Sequence, residues 1–439
     1  MRLRAFNQLS IKHYTLYIIN YTFPNSTAIV GGGAAGFFLA INLKEMCPQM
    51  RVVIFERSER VLQKVKVSGG GRCNCTNSFA AVGDLSTVYP RGHKLMRRLF
   101  HTFDHRDAYA WFESHGVRLT TQADGCVFPA AQSSQAVIDC FLSHSRRLGV
   151  ELRTGVKITS MSQLEYFDYV CLAAGGQPRP AALQWLADLG HEIAAPVPSL
   201  FTFAIADERL HELMGTVVDE ATAFIPGTKF KASGPLLITH WGMSGPAILK
   251  LSSYAARHLA EQGYRAPLAI NWVGKNEDVV REQLLQLCQA NAGKHLSSLR
   301  PFGLPSRLWD YLTAKAVDGT KVISALSKKE LNRLVATLTA DAYTIASRAP
   351  FRDEFVTCGG VDLKAVNPST LESRHRPGLF FAGELLDIDG ITGGFNFQAA
   401  WTTAYVVARS IAAAAKENEA ADKKALADKE ASADGPPRT

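Results

Sequence analysis

The sequence predicts an α/β fold in which both ends of the chain build one parallel-sheet domain and the middle forms inserts. Strand–helix–strand signals occupy residues 28–55, and signals of the same kind return over residues 351–413. Between them, short alternating segments over residues 196–273 are typical of a β-rich unit, and residues 276–348 carry helical patterns. We therefore expect one split domain, interrupted first by a β-rich insert and then by a small helical insert.

The individual elements are predicted from hydrophobic periodicity and from the residues that stop each segment. Ala34–Met46 carries apolar residues at helical spacing, and Pro48 ends this helix. The other predicted elements are the strands Ala28–Val30, Val52–Phe55, Val150–Arg153 and Tyr169–Ala173 and the helices Gln135–Leu148, Val279–Gln289, Ser306–Thr313, Lys328–Leu338 and Ala399–Val407. The expected units are an N-terminal extension (1–25), the split domain's first part (26–190), the β-rich insert (191–275), the helical insert (276–350), the split domain's second part (351–413) and a frayed or disordered tail (414–439).

A glycine pattern, Gly31-x-Gly33-x-x-Gly36, lies between the first strand and the first helix. The first glycine permits a tight turn, the second lets the backbone approach a pyrophosphate, and the third allows close packing of helix on sheet. Unpaired N–H groups at the helix N-terminus favour an anionic ligand. Glu56 follows the second strand, where a carboxylate accepts hydrogen bonds from an adenosine ribose and repels a 2′-phosphate. The segment therefore predicts a Rossmann-like dinucleotide site that disfavours NADP, rather than a chance glycine-rich turn.

A second glycine-rich segment, SGGGRCNCTN, spans residues 68–77. Its successive glycines expose backbone N–H groups and Arg72 adds a cation, an arrangement that suits a phosphate or the polar edge of a ring. A plain surface loop is the alternative. Cys73 and Cys75 are separated by one residue, which would strain a disulfide, so a redox pair is disfavoured.

The third segment lies near the other end of the chain. Phe380–Glu384 predicts a buried strand that delivers a carboxylate, and a loop with Asp387 and Asp389 follows. Gly393–Asn396 would begin a helix whose N-terminal N–H groups stabilise negative charge on a reduced flavin ring, unless these are ordinary turn glycines. Glycine-rich segments at both ends of the chain predict a clamp on one long, flat, anionic cofactor, and FAD fits best.

The insert offers one further candidate for chemistry. His240, within the segment Thr239–Pro246, is a candidate acid or base facing a substrate, or a structural histidine in a tight turn. The neighbouring Met243-Ser244-Gly245 lacks the nucleophile elbow of a serine hydrolase, so that class of enzyme is disfavoured.

Composition narrows the class of protein. Eight cysteines without a CxxC pair or zinc spacing predict reduced thiols, no metal site and a cytoplasmic protein. No apolar run reaches the roughly 18 residues of a membrane span, and the apolar stretch after Arg2 and Arg4 is too interrupted for a secretion signal.

The net charge is +8, with basic residues dense in Arg51–Arg72 and Arg91–Arg106. Solvated helix faces explain this better than a nucleic-acid surface, because interleaved aromatic residues and a recognisable motif are absent.

At these residues the chain resembles a family of bacterial flavoproteins described as NAD(P)/FAD-dependent oxidoreductases, aminoacetone-oxidase-like proteins or BaiN-like bile-acid reductases. The matching pieces, in order from residue 29 to 401, are IVGGGAAG, VSGGGRCNCTN, THWGMSGPAIL, FVTCGGVD and GLFFAGELLDIDGITGGFNFQAAW. The resemblance implies a split FAD domain of the glutathione-reductase type, with a barrel-like insert and a small helical one. It also implies that Gly31, Gly33 and Gly36 hold the diphosphate, Glu56 the ribose, and Glu384 the ribityl chain or diphosphate, while Gly393–Asn396 line the ring. Ala174 departs from the family's usual threonine.

We therefore expect an FAD-dependent oxidoreductase that transfers a hydride between the flavin and a small organic substrate under the β-rich insert. NADH or NADPH is a candidate transient donor, with oxygen or a quinone as alternatives, because the chain lacks a second GxGxxG. A flavin-binding, RNA-associated or sensory protein with little turnover is the alternative function. The candidate catalytic residues are Arg72, Cys73 and His240. The residues expected to bind the cofactor are Gly31, Gly33, Ala34, Ala35, Gly36, Glu56, Arg57, Ser68, Gly70, Gly71, Arg72, Asn74, Ala174, Gly175, Gly383, Glu384, Asp387, Gly393, Gly394, Phe395 and Asn396.

Overall fold

The structure, a computed structural model, describes residues 25–317, 320–348 and 356–433. The predicted extension therefore lies outside the described residues, except for its last residue. Within these residues there are sixteen strands, β1 to β16: Ser26–Val30, Arg51–Phe55, Thr76–Asn77, Leu119–Thr121, Cys126–Pro129, Glu151–Arg153, Tyr169–Leu172, Ile193–Ser199, Phe203–Ile205, Val217–Phe224, Lys231–Thr239, Gly242–Ser244, Ala266–Asn271, Asp341–Arg348, Val356–Val361 and Leu379–Phe381. The helices, α1 to α13, are Ala34–Met46, Gln63–Gly71, His93–Leu99, His105–Ser114, Gln135–Arg147, Gln184–Ala187, Glu208–His211, Pro246–Tyr254, Ala256–Glu261, Glu277–Ala290, Ser306–Ala316, Lys328–Ala340 and Phe395–Ala433.

Both ends of the chain contribute to one parallel sheet, in the order β16-β7-β1-β2-β6. Its central strand, β1, pairs in parallel with β2 and β7, and the C-terminal strand β16 pairs in parallel with β7. The central strands are short, apolar and buried, as parallel strands covered on both faces must be. The pairing of β16 with β7 joins the two halves that the sequence separates.

Helices α1 and α13 pack against each other beside this sheet. The rings of Phe38 and Trp401, both fully buried, have centroids 5.2 Å apart. The predicted C-terminal helix, which Gly393–Asn396 would begin and which runs through Ala399–Val407, is correct in type and in its start, but α13 continues from Phe395 to Ala433. Its last part is rich in Ala, Lys and Glu, which have high helix propensity, and it continues through much of the predicted tail.

The β-rich insert is a closed antiparallel barrel in the order β10-β11-β12-β9-β14-β13. Its core includes Phe203, Leu236, Ile238 and Met243, all fully buried. Strand β14 closes the barrel although it lies within the range predicted to be helical, so α10 to α12 are inserted between two barrel strands. The structure confirms the predicted α/β class, with a split Rossmann-type domain, a barrel insert and a helical insert.

Several elements were not predicted from the sequence. These are the three-stranded sheet β3-β5-β4, the helices α2 to α4, and α8 and α9 within the β-rich insert. Their strands have two to four residues, too few for an alternating pattern to be visible. In the described part of the chain, no helix has both the length and the apolar character to cross a membrane.

Candidate functional site

The first glycine-rich turn lies where the carboxyl ends of the central strands meet. The Gly31 N–H donates to the Phe55 carbonyl oxygen over 2.8 Å. Gly31 has φ +123°, and a Cβ added there would lie 2.3 Å from the Ala173 carbonyl oxygen. A Cβ added at Gly36 would lie 2.0 Å from the Gly31 carbonyl oxygen. Only glycine fits at both positions, the first for the turn and the second for the close approach of α1 to β1.

Gly33, by contrast, faces open space. It is the N-cap residue of α1, and a Cβ added there would have no heavy atom within 4 Å. Gly70 and Gly71 in the second glycine-rich segment have equally open surroundings. A helix N-terminus with unobstructed backbone in front of it fits an anionic group, and the small residues Ala34 and Ala35 begin this helix. The residues present therefore fit a dinucleotide diphosphate.

Glu56 is held at the mouth of this turn. Its Oε2 accepts a hydrogen bond from the Gly32 N–H over 2.8 Å, and its Oε1 accepts one from the Ser58 N–H over 2.9 Å. Each oxygen keeps further acceptor capacity, so the carboxylate can still accept from ribose hydroxyls. Arg57, which was also predicted to bind the cofactor, is exposed beside it.

The second and third segments interlock, although they lie more than 300 residues apart in the chain. The Asn77 side-chain amide donates to the Gly393 carbonyl oxygen over 3.0 Å, across a separation of 316 residues. When the Asn74 amide is oriented so that its oxygen and its nitrogen both have hydrogen-bond partners, the oxygen accepts from the Gly394 N–H at 3.2 Å and the nitrogen donates to the Thr76 carbonyl oxygen at 2.9 Å. A Cβ added at Gly394 would lie 2.2 Å from that same oxygen. The contact is therefore close enough to require glycine.

Buried side chains continue this contact into α13. Trp401 Nε1 donates to the Cys75 carbonyl oxygen over 2.7 Å, and the Thr76 hydroxyl donates to Gln398 Oε1 over 2.6 Å. Asn396 closes its own loop, because its amide exchanges two 2.8 Å hydrogen bonds with the backbone of Gly390. Sequence reasoning missed Thr76 and Gln398, since hydrogen bonds across such a separation leave no local pattern.

Glu384 lies between the two halves of the split domain. Its Oε1 accepts from the Thr357 N–H over 2.9 Å, and its Oε2 pairs with Lys64 Nζ over 2.8 Å. A Cβ added at the neighbouring Gly383 would lie 3.0 Å from the Cβ of Ala35, in the first turn of α1. A Cβ added at Gly175 would lie 4.0 Å from Glu384 Oε2, and Ala174, beside Gly175, is exposed. The carboxylate of Glu384, which follows β16, thus lies near the N-terminus of α1.

Asp387 is placed differently from the other predicted cofactor residues. Its carboxylate accepts from the Arg257 guanidinium at 2.8 and 3.0 Å, and Arg257 belongs to α9 of the inserted unit. This ion pair explains the position of Asp387 without any ligand, because it connects the two units.

A second, deeper ion pair lies next to it. Arg91 pairs bidentately with Asp389 and also donates to the Ser253 carbonyl oxygen at 2.6 Å, while the Ser199 hydroxyl donates to Asp389 at 3.1 Å. Asp389 is fully buried and the Arg91 side chain is 11% exposed. Burial raises the pKa of Asp389, and the Arg91 guanidinium opposes that change. Because Ser253 lies on α8, Arg91 fixes the inserted unit against the loop that leads to Gly393.

The three candidate catalytic residues have different surroundings. Arg72 donates to the Gly69 carbonyl oxygen over 3.1 Å and lies over the Phe128 ring, 4.2 Å from its centroid. His240 is exposed in the turn between β11 and β12, and its ring centroid lies 3.9 Å from that of Trp241. Arg72 thus lies within the second glycine-rich segment, against Phe128, and His240 lies on the barrel. Their catalytic roles stay predictions.

Cys73 is fully buried, in a left-handed conformation with φ +62°. Its Sγ lies 3.9 Å from that of Cys75, and both thiols are free. The hydrogen bond to Cys73, together with burial, raises the pKa of Cys75 well above its usual value. The Cys73 thiol therefore lies in the core, and its catalytic role stays a prediction.

A family described as "HI0933-like protein Rossmann domain" matches residues 25–410. The chain is 28% identical over 413 residues to the 3-dehydro-bile acid delta(4,6)-reductase of Clostridium scindens, a match that covers 88% of this chain and 99% of that protein. It is also 28% identical over 410 residues to the ribosomal RNA dihydrouridine synthase of Escherichia coli, covering 88% of this chain and 98% of that protein.

Two solved structures show a distant likeness to this chain. A 3-ketosteroid delta1-dehydrogenase from Sterolibacterium denitrificans, in complex with 1,4-androstadiene-3,17-dione, superposes with a TM-score of 0.47 at 12% identity, covering 89% of this chain and 100% of that one. The open conformation of a flavocytochrome c3 fumarate reductase superposes with a TM-score of 0.42 at 14% identity, covering 92% and 81%.

Proposed function

Because the chain belongs to the HI0933-like Rossmann family, we propose that this FAD-dependent oxidoreductase reduces a carbon–carbon double bond conjugated with a carbonyl group. The observation that carries the proposal is the chemistry shared by two relatives of equal identity. One is named for reducing double bonds of a 3-dehydro bile acid, and the other for making dihydrouridine, which is uridine with a saturated ring double bond. In both substrates the double bond is conjugated with a ring carbonyl. The two substrates therefore share a type of bond although they are different molecules.

Bound FAD would supply the hydride, and the residues of the chain would hold and orient the cofactor. The N-terminus of α1, with Gly33 in front of it, fits the diphosphate, and Glu56 fits the ribose hydroxyls. The N-terminus of α13, behind Gly394, would stabilise negative charge on the cofactor ring. Each of these groups is fixed by hydrogen bonds within the protein, which supports a preorganised cofactor site.

Reduction of a conjugated double bond also requires the carbonyl oxygen of the substrate to be held and polarised. Arg72 is the residue we propose for this, because it follows the open glycines Gly70 and Gly71 and its guanidinium is already oriented by Phe128. The barrel unit, fixed by Arg91 and Arg257, would form the other wall around the substrate. NADH or NADPH is proposed as the donor that reduces the flavin.

A ring enone of a small lipid-like molecule is the first candidate substrate. Uridine in ribosomal RNA is the second, and two observations favour it: the Escherichia coli relative named for that reaction and the net charge of +8. A basic surface attracts RNA in a salt-dependent manner. In this second candidate function, RNA is a substrate that the enzyme converts. It therefore differs from the alternative function of a flavin-binding, RNA-associated protein with little turnover.

The proposal is tested with the purified protein loaded with FAD. Anaerobic NADH or NADPH should bleach the flavin absorbance, and a 3-oxo-4-ene steroid or an unmodified ribosomal RNA transcript should restore it. Mass spectrometry should then show a product two hydrogens heavier than its substrate. The matched control is the saturated 3-oxo steroid, which should leave the flavin reduced. A flavin that is reduced but is reoxidised by neither unsaturated substrate would contradict the proposal.

A further inference from the structure

We infer that Lys64 is a further cofactor-binding residue, one that places its ammonium group at the cofactor diphosphate. The inference rests on the proposed function in one respect, namely that FAD occupies the site. Sequence reasoning missed this lysine, which lies in α2, four residues before the second glycine-rich segment begins at Ser68.

Three contacts place Lys64 over the N-terminus of α1. The Leu62 N–H, just before α2, donates to the Gly32 carbonyl oxygen over 2.9 Å, which ties the start of α2 to the first glycine-rich turn. Lys64 Nζ lies 2.8 Å from Glu384 Oε2. Gly383, the neighbour of Glu384, meets Ala35 of α1, because a Cβ added at Gly383 would lie 3.0 Å from the Ala35 Cβ. Lys64 therefore spans the space between the two halves of the split domain.

The charges at this position require a cation. Glu56 and Glu384 both lie at the site, and a diphosphate adds further negative charge to it. Lys64 is 56% exposed while Glu384 is 18% exposed, so the ammonium group is on the open side of the pair. An ammonium group has three donors, and the contact with Glu384 engages only one of them. Lys64 can therefore donate to a phosphate oxygen while it keeps its ion pair with Glu384.

The matched control for this lysine is Lys66. It lies two residues further along α2, carries the same charge and is exposed. Long-range attraction of an anionic cofactor would be weakened equally by Lys64→Gln and Lys66→Gln. A direct contact with the cofactor would be lost only in Lys64→Gln.

The experiment titrates cofactor-free protein with FAD and follows the quenching of flavin fluorescence, which needs no turnover. Lys64→Gln should raise the dissociation constant about tenfold or more, as loss of a charge-assisted hydrogen bond does, and Lys66→Gln should leave it nearly unchanged. The same loss should appear when Lys64→Gln is added to a Glu384→Gln background. If the loss vanishes in that background, Lys64 acts only by neutralising Glu384, and the inference is overturned. The inference is also overturned if the Lys64→Gln single variant binds FAD as tightly as the wild-type protein. A wild-type protein that binds no FAD would instead overturn the proposed function, and this inference with it.

Discussion

Replacing Gly33 with aspartate should abolish FAD binding and leave the protein folded. Gly33 is the N-cap residue of α1 with an extended backbone, and an added Cβ meets no heavy atom within 4 Å. Aspartate is a favourable N-cap residue, so the helix itself should be slightly more stable. The new carboxylate would occupy the space in front of the helix N-terminus and repel the diphosphate, so we expect affinity for FAD to fall about a hundredfold or more.

Visible absorbance of the purified variant measures retained flavin, and its thermal midpoint measures folding. The matched control is Gly83→Asp, because an added Cβ at Gly83 also meets no heavy atom within 4 Å and its backbone is not left-handed. Gly83→Asp should be yellow and Gly33→Asp colourless, with similar thermal midpoints. A yellow Gly33→Asp protein would show that the diphosphate is bound elsewhere.

Removing the Arg91 guanidinium should destabilise the protein more than any surface change. Arg91→Met leaves the carboxylate of Asp389 buried without its ion pair, which costs about 3–5 kcal/mol in comparable cases. The loss should appear as a shift of the urea unfolding midpoint to lower concentration. The double variant Arg91→Met with Asp389→Leu should recover much of it, because apolar residues of similar volume often replace a buried pair without loss.

The control for this ion pair is Arg97→Gln, which removes the exposed pair between Arg97 and Asp84. We expect no measurable change of the midpoint there, since water already solvates both groups. If Arg91→Met and Arg97→Gln unfold at the same urea concentration, the Arg91–Asp389 pair does not act as a stabilising buried connection between the two units.

Local chemistry made the first half of the site predictable. The turn at Gly31, the close approach at Gly36 and the carboxylate at Glu56 all follow from a strand–turn–helix–strand unit of neighbouring residues. The C-terminal strand and helix were predicted for the same reason. The length of α13 was not, because the sequence after Lys416 lacks a pattern of large apolar residues at helical spacing.

Contacts between distant residues could not be predicted in this way. Lys64 and Glu384 are 320 residues apart, and Asp387 is paired with an arginine 130 residues earlier. Nothing in the local sequence distinguishes an aspartate that binds a ligand from one that pairs with an arginine of another unit. Cys73 was predicted as a candidate catalytic residue, and the structure places its thiol in the core.

The central claim is that both ends of the chain hold one FAD along its whole length. The most direct measurement compares the affinities of the cofactor-free protein for FAD and for FMN, which lacks the AMP half of FAD. We predict one FAD bound per chain and FMN binding weaker by about a hundredfold or more, because FMN cannot reach both Glu56 and Gly393 and Gly394, which we propose to line the ring. Equal affinity for FMN and FAD, or no binding of either, would contradict the claim.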